Sequence, residues 1–473
     1  MKNPDRILCL LIALFISLNF TIYSQTDFEF ILSENEEIVI PGSNPWGLMH
    51  TPDGPVSYKK FENEIRFWFT ATNRTVLLRG NDFSNLEPFP LQGGQAVLIL
   101  EPSGTGFDSS YAGAYSVIPA NNGTDLLMFY HAENHPCNFP NPFMAAIGLA
   151  RSTDGGITWQ RRGQVLSTAA PKPANCNFQI WGVGNPTVFK SKDGNYLYMM
   201  FTEWLRGNPV SRPDLIYLAR AAVSSDGEPG SWFKYSNGSF SQPGLGGLGT
   251  PVINQPPPDG LTSVYAALPA VSYNTAIDQF IVVFQSRNGI HISTSSNGIS
   301  WDTPRLIWNE RDFYLSSIQG QPGVAYPSLI SLDHPSQMTT GSQGYLYFGR
   351  GYPNGNPPHI MARRAFEIKT PTSIKANEII SDYKLDQNFP NPFNPTTKIN
   401  YTIPKESSVT LTVFNVLGEV KSRLVNEIKP AGNHTITWEG KGNSSGIYFY
   451  RIFAIPTGGG KSFNQIRKMI FMK

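Results

Sequence analysis

Charge is what this sequence has least of. Only 15% of its 473 residues are Asp, Glu, Lys or Arg, against roughly 25% in an average soluble protein. The 37 Lys/Arg and 35 Asp/Glu nearly cancel, leaving +2. Residues 382–473 hold 12 Lys/Arg against 6 Asp/Glu, and the first 24 residues hold Lys2 and Arg6 against Asp5, so residues 25–381 carry −5. A mildly acidic body lacks the basic face that a phosphate backbone requires, which excludes nucleic acid as a partner. Cysteine is scarcer still: Cys9, Cys137 and Cys176 are all there is. Long apolar runs are missing too, apart from Ile7 to Phe20, which is shorter than the ~18–20 residues needed to cross a bilayer.

That one run has a meaning of its own. Lys2 and Arg6 precede it and Tyr23-Ser24-Gln25 follow it, the three-part layout of a secretory signal, with cleavage expected after Ser24. The alternative is an uncleaved anchor, against which the shortness of the run argues. Cys9 leaves with residues 1–24, and no transmembrane anchor is expected after cleavage. An exported chain with two remaining cysteines predicts a Cys137–Cys176 disulfide, the alternative being two separate buried thiols. Both cysteines stand in the same local text, Cys-Asn-Phe.

What the chain has in abundance is turn and aromatic residues: 43 Gly, 38 Pro and 12% Phe, Trp and Tyr. About 449 residues is too long for one ordinary domain. One pattern recurs five times, a short β-rich run, a Gly/Asp/Asn turn and an aromatic β-run, at 54–71, 113–132, 184–203, 268–286 and 325–350. Each reads as a hairpin. A second hairpin follows most copies, at 147–163, 216–235 and 290–304. Four strands per repeat around an axis predict an all-β fold, a five-bladed β-propeller over residues 25–370. A pair of sandwiches or a β-helix is the competing all-β reading. Ser152 to Trp159 fits the Asp-box turn S-x-D-x-G-x-x-W, in which the Asp carboxylate accepts backbone N–H groups and Gly supplies positive φ. Such turns resemble those of sialidases, where they are structural, so Asp154 is not expected to act in chemistry.

After a polar linker at 371–381 the chain reads Asn388-Phe389-Pro390-Asn391-Pro392-Phe393-Asn394-Pro395-Thr396-Thr397 and ends Lys468-Met469-Ile470-Phe471-Met472-Lys473. This text resembles the type A sorting domain of type IX secretion cargo. The resemblance implies an immunoglobulin-like β-sandwich over 382–473, the type IX secretion machinery as a partner, and passage through periplasm and outer membrane to the surface or the medium.

In antiparallel hairpins the start of the first strand and the end of the second share one face. His50, Asp53, Tyr115, His131, Glu133, Asn185, Glu203, Trp204, Arg287 and Arg350 are brought there by the repeat. Rings to stack on sugar faces and polar groups to meet hydroxyls fit a polysaccharide. The blade layout is similar to five-bladed glycoside hydrolases such as arabinanases, xylosidases and fructosidases. Their Asp-Pro motifs are matched only loosely: Asp53-Gly54-Pro55 is shifted by a residue and Asn185-Pro186 has an amide. Hydrolysis needs two carboxyl groups, and Asp53 as base with Glu203 as acid, or Glu133 in reserve, would supply them. Both glutamates can equally be rim residues. His131-x-Glu133-x-His135 reads as a hydrogen-bonding run rather than metal ligands, and no metal or cofactor is expected. Two functions stay open: a glycoside hydrolase-like enzyme, and a non-catalytic carbohydrate- or surface-binding propeller.

Overall fold

The computed structural model describes residues 28–137, 142–207, 211–253, 266–287, 289–311, 322–351, 358–370 and 383–472. The signal expected at 1–24 and the linker at 371–381 lie outside them. The described residues are all-β, as the alternating sequence requires, with helix limited to two three-residue 3-10 turns at Gly106–Asp108 and Val223–Ser225. The chain divides into two compact units, Met1–Pro371 and Thr372–Lys473.

In the first unit each repeated segment is an antiparallel pair. The pairs are Ser57–Lys60 with Ile65–Ala71, Tyr111–Pro119 with Leu126–Asn134, and Phe178–Lys190 with Tyr196–Gly207. Ala267–Asn274 with Gln279–Ser286 and Gly323–Ile330 with Gln343–Gly351 complete the set. A third strand joins each pair: Arg74–Gly80, Phe143–Ser152, Ser211–Ala222, Gly289–Ser295 and Ile360–Lys369. The fourth strand is local in the first four groups. In the fifth it comes from the other end of the unit, Glu29–Ile40, which pairs with Ile360–Lys369 from Glu29↔Lys369 to Ile40↔Met361.

Alternation along these strands buries both faces, so each core forms between successive groups. Phe129, Leu149, Val183 and Phe201 fill the seam between the second and third groups. Corresponding clusters lie between first and second, third and fourth, and fourth and fifth groups. A further cluster of Phe67, Val76, Ile330, Tyr347 and Met361 joins the fifth group back to the first. Each such side chain, fully buried, contributes about 1.5–3 kcal/mol. Hydroxyls on the inner strands tie one group to the next. Val117 N donates to Ser57 Oγ (3.1 Å), Val188 N to Ser116 Oγ (3.0 Å), Val271 N to Thr187 Oγ1 (3.1 Å) and Val56 N to Ser328 Oγ (3.0 Å).

The second unit sets a three-stranded sheet of Lys384–Leu385, Thr396–Ile403 and Gly432–Glu439 beside a four-stranded one. The latter runs in the order Val420–Lys429, Ser407–Asn415, Gly446–Pro456, Phe463–Phe471. Ile399, Tyr401, Leu411, Val413, Tyr450 and Ile452 lie in their shared core.

Candidate functional site

The inner strands do not run straight at the end where Asp53 stands. The pairing skips Tyr115, Asn185-Pro186, Leu268-Pro269 and Tyr326-Pro327, so these residues bulge out of the ladder. Asn185, Leu268 and Tyr326 take left-handed φ values of 56°, 57° and 60°, an uncommon conformation for Leu and Tyr that persists only where the surroundings enforce it. For Leu268, the backbone N–H is taken by Thr202 Oγ1 of the preceding group at 3.1 Å.

Asp53 is held by tyrosines from both neighbouring groups. Tyr326 Oη donates to Asp53 Oδ1 at 2.7 Å and Tyr111 Oη approaches Oδ2 at 3.2 Å. The Asp53 carbonyl accepts from Tyr111 Oη (2.7 Å) and Tyr115 Oη (3.0 Å), and its N–H reaches Thr70 O at 2.9 Å. Burial, and then the charge of Asp53, push the Tyr115 phenol well above its ordinary value, so it stays a donor.

His131 lies against Tyr111, Tyr115 and Trp204, with ring centroids 5.1, 5.5 and 5.8 Å away. Gly184 makes this possible: a Cβ there would meet His131 Nδ1 at 2.2 Å and Trp204 at 2.7 Å. Glu133 follows on the same strand, and its Oε1 faces His131 Nε2 at 3.0 Å while Oε2 faces His135 Nε2 at 2.6 Å. An ionised carboxylate only accepts, so both Nε2 atoms carry the proton. Burial pushes Glu133 up, but the two imidazole bonds outweigh it and its pKa falls below the ordinary value. That arrangement suits an acceptor, not a proton donor.

The other expected residues have partners of their own. Glu203, 7% exposed, accepts from Thr168 Oγ1 at 2.8 Å. Buried Lys234 donates to Ser167 O and Gly247 O beside it. Burial pulls the Lys234 ammonium down to about 8, with the charge of Glu203 opposing. Arg350 makes a two-point bond to Glu36, 2.6 Å on each arm, and so fastens the Glu29–Ile40 strand. Arg287 is exposed in the turn after Gln279–Ser286. Cys137 and Cys176 are disulfide-bonded, with Cα atoms 6.2 Å apart across 39 residues, and Cys137 lies two residues past His135. Asp154 accepts Ile157 N and Thr158 N, each at 3.0 Å, and Thr158 Oγ1 at 2.6 Å.

His359 escaped the sequence reading. Its Nε2 donates to Pro52 O at 3.0 Å, which leaves Nδ1 as the acceptor facing His50 Nδ1 at 3.3 Å. Burial, then the neighbouring His50, pull His359 down to about 3, and burial lowers His50 as well. Nothing in the repeat marks it, since the preceding residues break the pattern. Tyr111 and Tyr326 belong to the face the repeat predicts, Tyr326 at a Tyr-Pro step matching Asn185-Pro186 and Leu268-Pro269. Among the described residues no three His, Cys, Asp or Glu side chains converge to hold a metal ion. A cavity of about 600 Å³ bordered by Phe61, Asn63, Asn85 and Tyr345 opens by the turn between Ser57–Lys60 and Ile65–Ala71, the end of that pair away from Asp53.

Residues 387–465 match the family described as the secretion system C-terminal sorting domain. The chain is therefore addressed for type IX secretion to the cell surface or extracellular space, and no helix among the described residues is long and apolar enough to cross a membrane. No curated protein matches the sequence. Among solved structures, a GH43_1 enzyme from Xanthomonas citri aligns at 11% identity and TM-score 0.40, covering 71% of this chain and 89% of its own. The endo-arabinase of Bacteroides thetaiotaomicron aligns at 11% and 0.38, covering 69% and 96%. The Cellvibrio cellulosa alpha-L-arabinanase complexed with arabinohexaose aligns at 11% and 0.39, covering 66% and 91%. At that level of likeness, function has to be argued from the residues themselves.

Proposed function

We propose that residues 25–370 form a five-bladed β-propeller that binds polysaccharide at the Asp53 end of its channel. On this reading residues 1–24 are removed on export, 371–381 are a linker, and 382–473 are an immunoglobulin-like sandwich that carries the address. Five core seams, the last joining the fifth group to the first, support the propeller. The observation that carries the binding site is Asp53, a carboxylate clasped by Tyr111 and Tyr326 from two flanking groups. His50, Tyr115, His131, Asn185 and Trp204 are, on this reading, the sugar-contacting set. Arg350 serves closure instead, through Glu36, and Arg287 stands at the rim. Binding of the mature chain to a panel of polysaccharides tests this. Asp53→Ala should weaken the positive member about tenfold or more, equal to about 1.4 kcal/mol, and a panel with no binder would refute the reading.

A second reading is hydrolysis, which Asp53 itself favours as a fixed carboxylate able to act as base. Glu133 accepts from two imidazoles, which suits an acceptor rather than an acid, and the acid on this reading is Glu203. Release of reducing ends by the wild type, abolished in Asp53→Asn and Glu203→Gln, would establish turnover. Binding without release would leave the protein a lectin-like propeller.

A further inference from the structure

An antiparallel sheet that covers a core on one side is normally polar on the other. The four-stranded sheet of the sorting unit is not. Val409, Leu411, Val413, Tyr450, Ile452 and Met469 point inward and are fully buried. The alternate positions carry Val420, Ile428, Ile447, Phe453, Ile455 and Ile466, which are 55, 60, 43, 38, 46 and 55% exposed. Register makes them neighbours. Ser408 stands between Ile428 and Ile455, Thr410 stands between Asn426 and Phe453, and Phe453 in turn pairs with Asn464. Arg451 pairs with Ile466, and Phe449 lies between Phe414 and Lys468. The result is an apolar strip along Gly446–Pro456, of Ile447, Phe449, Phe453 and Ile455 with Arg451 in its middle, extended by Ile466 on one side and by Phe414 and Val420 on the other, with Ser408, Thr410 and Asn464 among its cross-strand neighbours.

Composition alone does not cause this. The outward positions of the other sheet in the same unit include Lys398, Asn400, Thr435 and Thr437, all exposed, with Thr435 Oγ1 bonded to Asn400 Oδ1 at 2.8 Å. Scattered exposed apolar residues need no explanation, but a contiguous strip marks an interaction surface. Its charges are of one sign. Arg423, Arg451 and Lys468 are exposed on it, Arg451 over the Phe414 ring at 5.3 Å, and no Asp or Glu occupies an outward position of these strands.

We infer that this outward face, centred on Phe453, Ile455 and Arg451, is the surface by which the export machinery reads the sorting unit. Its partner there is a protein presenting an apolar patch set with carboxylates. The family match requires some partner for this unit, and a strip that is apolar and cationic without carboxylates fits that chemistry. This goes beyond the glycan reading and does not depend on it.

The test is export of the full chain in a host with type IX machinery. Phe453→Glu with Ile455→Glu, and separately Arg451→Glu, should lower the surface fraction about tenfold or more, as loss of an interface hot spot does, with chain accumulating in the periplasm. Arg451→Lys, and Thr435→Glu on the other sheet, should export as wild type. Thermal unfolding of each purified chain identifies variants that fail to fold, and Arg451→Glu, a substitution at an exposed position, keeps the test open if the double variant does not. Normal export of folded Arg451→Glu would overturn the inference, as would equal loss in Thr435→Glu. So would a wild-type dimer that the double variant dissociates while still exporting, which would make a second copy the occupant. Capture by anionic phosphatidylglycerol vesicles, lost in a double variant that exports normally, would assign the face to lipid and overturn it too.

Discussion

At the scale of single residues, hydrogen bonds decide which ionised groups this protein tolerates. Asp154 is pushed up by partial burial yet held down to about 2 by Thr158, Ser152 and Ile157. A carboxyl depressed below its unfolded value stabilises above that value, and the benefit is lost as pH falls from about 4 to about 2. Asp154→Ala should cost about 1–2 kcal/mol at neutral pH, as loss of a comparable cap does, read as a lower midpoint in urea. His359 works in the same direction for the opposite reason. Its pKa is depressed to about 3, so the unfolded chain binds a proton that the folded one refuses between about pH 6.5 and 3. Stability is full above 6.5 and declines below it by about 1.4 kcal/mol per unit. Unfolding measured at pH 7 and 4.5 should show this slope in wild type and a flatter one in His359→Gln.

At the scale of elements, the inner strands carry both the seams and the site. The residue that bulges, Asn185, Leu268 or Tyr326, is followed by Pro, and in two of the three cases the next residue is a hydroxyl, Thr187 or Ser328, that accepts a backbone N–H from the next group. Ser328→Ala would leave Val56 N–H buried without its acceptor, at a cost of about 1–3 kcal/mol. The expected outcome is a destabilised unit whose Asp53 geometry loosens, so glycan affinity should fall together with the thermal midpoint. The five hairpins were legible as text because each is local. The Glu29–Ile40 strand was not read as the partner of Ile360–Lys369, since pairing across more than 300 residues leaves no periodic trace in either segment.

At the scale of the whole molecule, two modifications separate folding from address. The first unit closes on itself through Glu29–Ile40, so deleting residues 382–473 should leave it folded but retained in the periplasm; appearance of the truncated chain in the medium would contradict the sorting role. The Cys137–Cys176 bond closes 39 residues, which in the chain-entropy model stabilises by about 3–4 kcal/mol. Cys137→Ser with Cys176→Ser should lower the unfolding midpoint accordingly, and because Cys137 is two residues from His135, should also raise the pH at which Glu133 takes a proton, as followed by glycan binding across pH 4–7.

The sequence by itself determined the β-class, the sorting address and the five hairpins, because alternation, turn residues and the Asn388–Thr397 text are all local. It also placed Asp53 just before its first strand and Glu133 at the end of Leu126–Asn134. Only the tertiary structure decided what those groups touch. Tyr326 reaches Asp53 across 273 residues and His359 reaches Pro52 across 307, while Arg350, which the repeat placed among sugar ligands, is taken by Glu36 across 314. The physical reason is that strand order fixes where a side chain starts, but a hydrogen bond is made by whichever neighbour ring closure brings within about 3 Å.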